Sequence, residues 1–376
     1  RVNSNGLIEP VGTLGADVIL NGDFEETGAD QILNGDFSQE SSEEVTNGDF
    51  ATDSNWTKGT GWTISGGTAN CDGTQTSSTA MVQETVTNSN ANVKVSFTIS
   101  GYVSGLIKVR NSGGFSGTYV SGNGTYVFYA NSGIATNIVL DADASFTGSI
   151  DNVSVVEVGQ DWDIINNAGS STTISDTLNI VTDGAYTQSS QNNVTIAGKT
   201  YKLQYTVLES DGGALGFIVT GNQTESIPST VGTHTHYFVS HSTSIIFKRA
   251  SGVLDITIDN ITVEEVGQEW FLSDGCSITA QGARITSDGT TQYIQQNNAL
   301  VIGDTYEMEY EITESVSGSV SVTNSFGSGL ALKNTVGVHK FYAVATNTFI
   351  QIKKSISPTD ITIDNIKIKR LNGDDT

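Results

Sequence analysis

The chain is short of proline, cysteine and positive charge. Three prolines in 376 residues exclude an extended Pro-rich stalk. Two cysteines, Cys71 and Cys276, exclude a disulfide framework, which would need more cysteines at matched places. Free, semi-buried thiols are expected instead. Lys and Arg number 17 against 41 Asp and Glu, for a net charge of -24. So acidic a surface repels phosphate and anionic lipid, so no nucleic-acid partner is expected. No apolar run is long enough to span a bilayer, so no membrane insertion is expected. No sustained helical apolar spacing occurs, so no long helix is expected. The chain opens at Arg1 without Met or a signal peptide, which suggests that something upstream was removed or that the chain is part of a longer one.

What is present is repetition. SIDNVSVVEV (149–158), TIDNITVEEV (257–266) and TIDNIKIKR (362–370) place Asp151, Asp259 and Asp364 at spacings of 108 and 105 residues. VGQDW (158–162) recurs as VGQEW (266–270), and GKTYKLQYTV (198–207) as GDTYEMEYEI (303–312). These markers bound three repeats near 47–158, 159–267 and 268–371, with a tail at 372–376. No linker separates them, which implies a stiff rod-like array. Within each repeat, apolar and polar residues alternate. Tyr201, Leu203, Tyr205 and Val207 interleave with polar residues, as do Tyr306, Met308, Tyr310 and Ile312, and Val93, Val95, Phe97 and Ile99. A period of two with one apolar face is a half-buried strand. Many short strands with turn signals predict an all-β chain of three tandem jelly-roll or β-sandwich domains.

Residues 1–46 carry a second, shorter repeat. LNGDFEETGADQI (20–32) is followed by LNGDFSQESSEEV (33–45) and then TNGDF (46–50), a period of 13. The third NGDF opens the first sandwich. The first two read as surplus copies, since the second and third sandwiches have no NGDF in their own segments. They are expected to lie on the surface as extra strands or turns, or to add to an open sheet edge in this chain or a neighbour. The second option makes the segment an attachment element.

Catalytic signatures are missing. There is no HExxH, GxSxG, phosphate-binding glycine loop or CxxC pair, and an enzyme is not expected. His234 and His236 share a strand face, but a metal would want a third ligand there. Their counterparts are Tyr126 and Phe128 in the first repeat and His339 and Phe341 in the third. Tyr129, Tyr237 and Tyr342 fall on the opposite face, and alternation does not say which face is core. Trp56, Trp162 and Trp270 open the repeats at matched places, which points to core or inter-repeat packing.

The pattern Asn47-Gly48-Asp49-Phe50, Trp56, Trp62 and Ile150-Asp151-Asn152-Val153 resembles the jelly-roll carbohydrate-binding modules attached to xylanases and related glycanases. The resemblance covers the first repeat best, and the other two in their C-terminal halves. It implies glycan contact, with Tyr126, Phe128, His234, His236, His339 and Phe341 as the candidates. It also implies a structural calcium ion at Asp151, Asp259 and Asp364. The first-strand match is weaker, because Ala51 follows Phe50 where such modules often have Glu. Separately, RVNSNGLIE (1–9), NWTKGTGWTISGG (55–67) and IDNVSVVEVGQDW (150–162) resemble segments of bacteriophage tail, fibre and other virion structural proteins. That resemblance implies a virion-surface location, other virion proteins as partners, and a homo-oligomer, with a trimer favoured. The expected function is a non-enzymatic structural or display protein of a phage particle, with weak contacts to host surface glycans. The alternative is a secreted bacterial carbohydrate-binding or adhesive protein.

Overall fold

The computed structural model describes residues 12–220, 223–327 and 330–373. Segment 1–9, which carries part of the virion resemblance, and the last three residues of the tail lie outside the described residues. The fold is all-β. Among the described residues one helical turn occurs, Thr323–Phe326, and no helix is long and apolar enough to cross a membrane.

Buried side chains gather into three hydrophobic cores, one around Phe97 and Leu140, one around Tyr205 and Phe247, and one around Tyr310 and Ile352. The first lies between a four-stranded and a five-stranded sheet. In the other two cores, long strands run through both layers: Thr200–Thr220 pairs with Ile245–Val266, and Thr305–Ser321 pairs with Ile350–Gly373. All pairings are antiparallel, and repeated register shifts bend these strands around the core. The alternating strands point as their sequences require. Tyr201, Leu203, Tyr205 and Val207 are buried, as are Tyr306, Met308, Tyr310 and Ile312. Cys71 and Cys276 are free and buried in different cores.

The N-terminal segment changes the expected arrangement. Its side chains are divided among all three cores. Phe24 is buried with the third core, Phe37 with the second and Phe50 with the first. Strand Gly12–Asp17 pairs with the last strand of the third sandwich, at 369–373. Strand Thr27–Asp30 pairs with the last strand of the second, and Glu40 bridges to Val158 of the first. The first two NGDF copies are therefore not surplus. Each sandwich receives one copy, in the reverse of chain order. The reason is topological. The third copy is contiguous with Trp56, so it can reach only the first sandwich. Each step of 13 residues upstream carries the chain back across one more sandwich, a span that extended chain covers easily at about 3.3 Å per residue.

Candidate functional site

The most fully constructed local feature is the lock that each NGDF makes with its sandwich. The Asn takes a left-handed backbone, with φ of 47° at Asn21, 50° at Asn34 and 57° at Asn47. Its carbonyl accepts the indole N–H of the repeat-opening Trp: Trp270 to Asn21 at 3.1 Å, Trp162 to Asn34 at 3.2 Å, Trp56 to Asn47 at 3.1 Å. The Gly carbonyl accepts the N–H of the residue after IDN, from Ile366, Ile261 and Val153 at 2.8, 2.9 and 2.9 Å. The Phe ring meets the Trp ring at 5.4, 5.5 and 5.4 Å between centroids. Such aromatic pairs add about 0.5–1.5 kcal/mol beyond their buried area.

Two further groups complete each lock. A buried glutamine clamps the backbone of the residue before the Asn from both sides. Gln296 Nε2 donates to the Leu20 carbonyl at 2.9 Å, while its Oε1 accepts from Leu20 N–H at 3.0 Å. Gln191 does the same to Leu33 at 2.9 and 2.8 Å, and Gln83 to Thr46 at 2.8 and 2.9 Å. An acidic side chain then accepts a backbone N–H of the last strand: Asp17 from Ile368, Asp30 from Val263 and Glu43 from Val155, at 2.9, 2.9 and 2.8 Å. Asp17, Asp30 and Glu43 thus cap the last strands. The signal that exposes this arrangement in the sequence is a count: three NGDF motifs match three repeat-opening tryptophans and three IDN motifs.

The candidate glycan residues lie on the core side of their strands. Phe128 stacks on Phe97 at 6.0 Å, and Tyr126 meets the same ring at 5.9 Å. His234 packs on Tyr205 at 5.6 Å and His339 on Tyr310 at 5.4 Å. A ring nitrogen of each also lies 2.6 Å from a backbone carbonyl, of Thr230 and Thr335 respectively. Phe341 packs on Tyr310 and Phe326. His236 stacks on Phe238 and meets Phe217 edge-on. Its Nε2 is 3.5 Å from Glu225 Oε2, too far for a good hydrogen bond. Burial pushes its pKa below the ordinary histidine value, and Glu225 opposes the shift. These six residues are half-buried and split among three sandwiches rather than brought to one place.

The opposite face holds the inter-repeat contacts. Tyr129 of the first repeat packs on the second core, and its hydroxyl donates to Asp176 at 2.8 Å. Tyr237 of the second packs on the third core. Tyr342, the third of the series, donates to Glu307.

The calcium expectation meets a different arrangement. Asp151, Asp259 and Asp364 each turn their Oδ1 to the next backbone N–H, at 2.7, 2.7 and 2.8 Å. The Asn that follows is left-handed in all three, with φ of 50°, 51° and 51°. IDN is thus a bulge that turns the last strand toward NGDF. Burial raises the pKa of Asp364, and Asp23, Glu311 and Glu25 raise it further. Burial likewise raises Asp259, with Asp36 adding to it. Among the described residues no three His, Cys, Asp or Glu side chains are grouped to hold a metal. The three aspartates are thus engaged by their own turns rather than converged on an ion.

No family model matches the chain, and no curated protein matches it. Two of the solved structures similar to it in part illustrate the likeness. The N-terminal tandem CBM22 domain of Xyn10C from Paenibacillus barcinonensis is 10% identical, covering 60% of this chain and 98% of that one, with a TM-score of 0.24. AerE from Microcystis aeruginosa is 12% identical, covering 56% and 97%, with a TM-score of 0.12. Likeness at these scores carries no functional conclusion.

Proposed function

We propose that the chain is a non-enzymatic structural and display protein of a phage particle, in a fibre, tail appendage or capsid decoration. In this reading it makes weak glycan contacts with the host surface. The observation that carries the reading is the threaded N-terminal segment. It fastens all three sandwiches by a return path, so the repeats are joined twice: once through chain order and once through the strap. A display element must hold its modules in register under load, and such double connection serves that purpose. The inter-repeat tyrosines add side-chain contacts to the same end. Linked modules would gain avidity from individually weak contacts. The virion setting rests on the sequence resemblance at 1–9, 55–67 and 150–162. Mass spectrometry of purified virions tests it: peptides of this chain in particles are expected. Absence from particles would sink the virion setting and leave the secreted adhesive protein as the reading.

A further inference from the structure

The third sandwich carries an aromatic pair, one ring exposed and one half-buried, that its sister repeats lack at the same positions. Phe271 and Tyr293 stack at 5.4 Å with 28° between their planes. Phe271 is 53% exposed, an unusual state for so large an apolar ring. The pair sits where the strands after Trp270 and before the Gln296 clamp run side by side, with Phe271 opposite Gln295. The same register in the second repeat holds Asp163 and Gln188, and in the first Thr57 and Ala80. Two sandwiches fold with small or polar groups at these positions. Packing of the sandwich therefore does not require aromatics there, and their presence in the third needs another reason.

The surroundings supply one. Phe271 is a shared wall of two adjoining grooves between the second and third repeats, of about 460 and 230 Å³. The larger falls within the ordinary range for small-ligand sites, about 300–1,000 Å³. Planar amides line it, among them Gln268, Gln295 and Asn297, together with Lys199 and Glu269. Lys199 also faces the smaller groove, where it pairs with Glu265 at 3.0 Å. Among the described residues lining the two grooves, Lys199 is the one cation against Glu265 and Glu269, and the surplus negative charge disfavours an anionic ligand. An apolar ring face beside amide donors and acceptors suits an uncharged ligand with an apolar face and a rim of hydroxyls.

We infer that Phe271, backed by Tyr293, is the stacking platform of a binding site for a neutral saccharide at the junction of the second and third sandwiches. The C–H face of a sugar ring lies on Phe271, and the amides of Gln268 and Gln295 bond its hydroxyls. The inference rests on the glycan contact proposed above and gives it a place. It differs from the half-buried strand residues Tyr126, His234 and His339, which face their own cores.

The test uses the full chain on an array of immobilised neutral gluco-, manno- and galacto-oligosaccharides, with sialylated and uronate-bearing glycans for comparison. Phe271→Asp and Tyr293→Gln install the second repeat's own residues, which that sandwich accommodates, and a thermal melt checks folding. Binding to neutral glycans is expected to weaken about tenfold in either variant with the melt unchanged, while Phe271→Trp retains it. Hits that survive Phe271→Asp would overturn this site and leave glycan contact standing elsewhere. Loss in Tyr126→Ala, His234→Ala or His339→Ala alone would then place it on the half-buried strands. Binding confined to charged glycans, or no hit for the wild-type chain, would also overturn it. The no-hit outcome would remove glycan contact from the proposed function as well, without touching the virion setting.

Discussion

Gly22, Gly35 and Gly48 have no room for a side chain. A Cβ on each would lie 2.0, 2.0 and 1.9 Å from the carbonyl oxygen of Ile366, Ile261 and Val153. The obstacle is backbone, which cannot swing aside as a flexible side chain can. Gly35→Ala is therefore expected to destabilise the chain by about 1–3 kcal/mol, the usual range for forcing a group into a packed site. Urea denaturation followed by tryptophan fluorescence would show it, and an unchanged midpoint would refute the lock geometry. His236 gives a second residue-level expectation, on pH. Its folded pKa lies below its ordinary value of 6.5 because of burial. The unfolded chain then takes up a proton that the folded chain resists. Stability is held above the unfolded pKa and lost as pH falls through about 6.5. His236→Phe, the residue found at sister positions 128 and 341, should gain stability relative to wild type at about pH 5 and show a smaller difference at about pH 7.5. An equal difference at both would show that packing, not protonation, decides the effect. The sequence exposes the swap between His236 and aromatics. It does not expose Glu225, which reaches the ring from a hairpin pairing at Phe217.

At the scale of elements, the buried glutamines do what a strand partner would otherwise do. Gln191 satisfies both the N–H and the carbonyl of Leu33, a residue of the strap that carries no ladder bonds at that point. Gln191→Ala would leave both groups without their partner, at about 1–3 kcal/mol for each group that water does not reach. Amide hydrogen exchange at Leu33 should accelerate sharply, while exchange in the strand Tyr201–Val207 of the same sandwich accelerates much less. Uniform acceleration across the sandwich would mean that the clamp serves the core rather than the strap. Gln83, Gln191 and Gln296 are matched in register, yet the sequence gives them no meaning, because their partner lies as much as 276 residues away. The core strands are a different case. Their period of two is local, and the faces it assigns to Tyr201–Val207 and Tyr306–Ile312 are the buried ones. Alternation could not choose the inner face of the strand bearing Tyr126, His234 and His339, since both of its faces carry aromatics.

For the whole molecule, the reversed threading means that the third sandwich depends on the far end of the chain. Asn21 and Trp270 are 249 residues apart in sequence and in direct contact. Deleting residues up to Glu26 removes the third sandwich's edge strand, its Phe24 and the acceptor of the Trp270 indole. The expected result is protease sensitivity within 268–373, with 47–267 remaining protected. A synthetic peptide of residues 12–26 should restore protection by adding back the missing strand in trans. Sensitivity spread evenly over all three repeats, or none at all, would contradict the one-to-one assignment.

The sequence by itself determined the all-β class, the three long repeats, the three short ones and the periods of both. Those properties are local: alternation, turn residues and recurring words act over a few residues. Tertiary structure alone decided which NGDF serves which sandwich. The three motifs make the same turn and would fit any of the three tryptophans. The choice falls to chain connectivity, which ties the third copy to Trp56 and sends the other two back along the array.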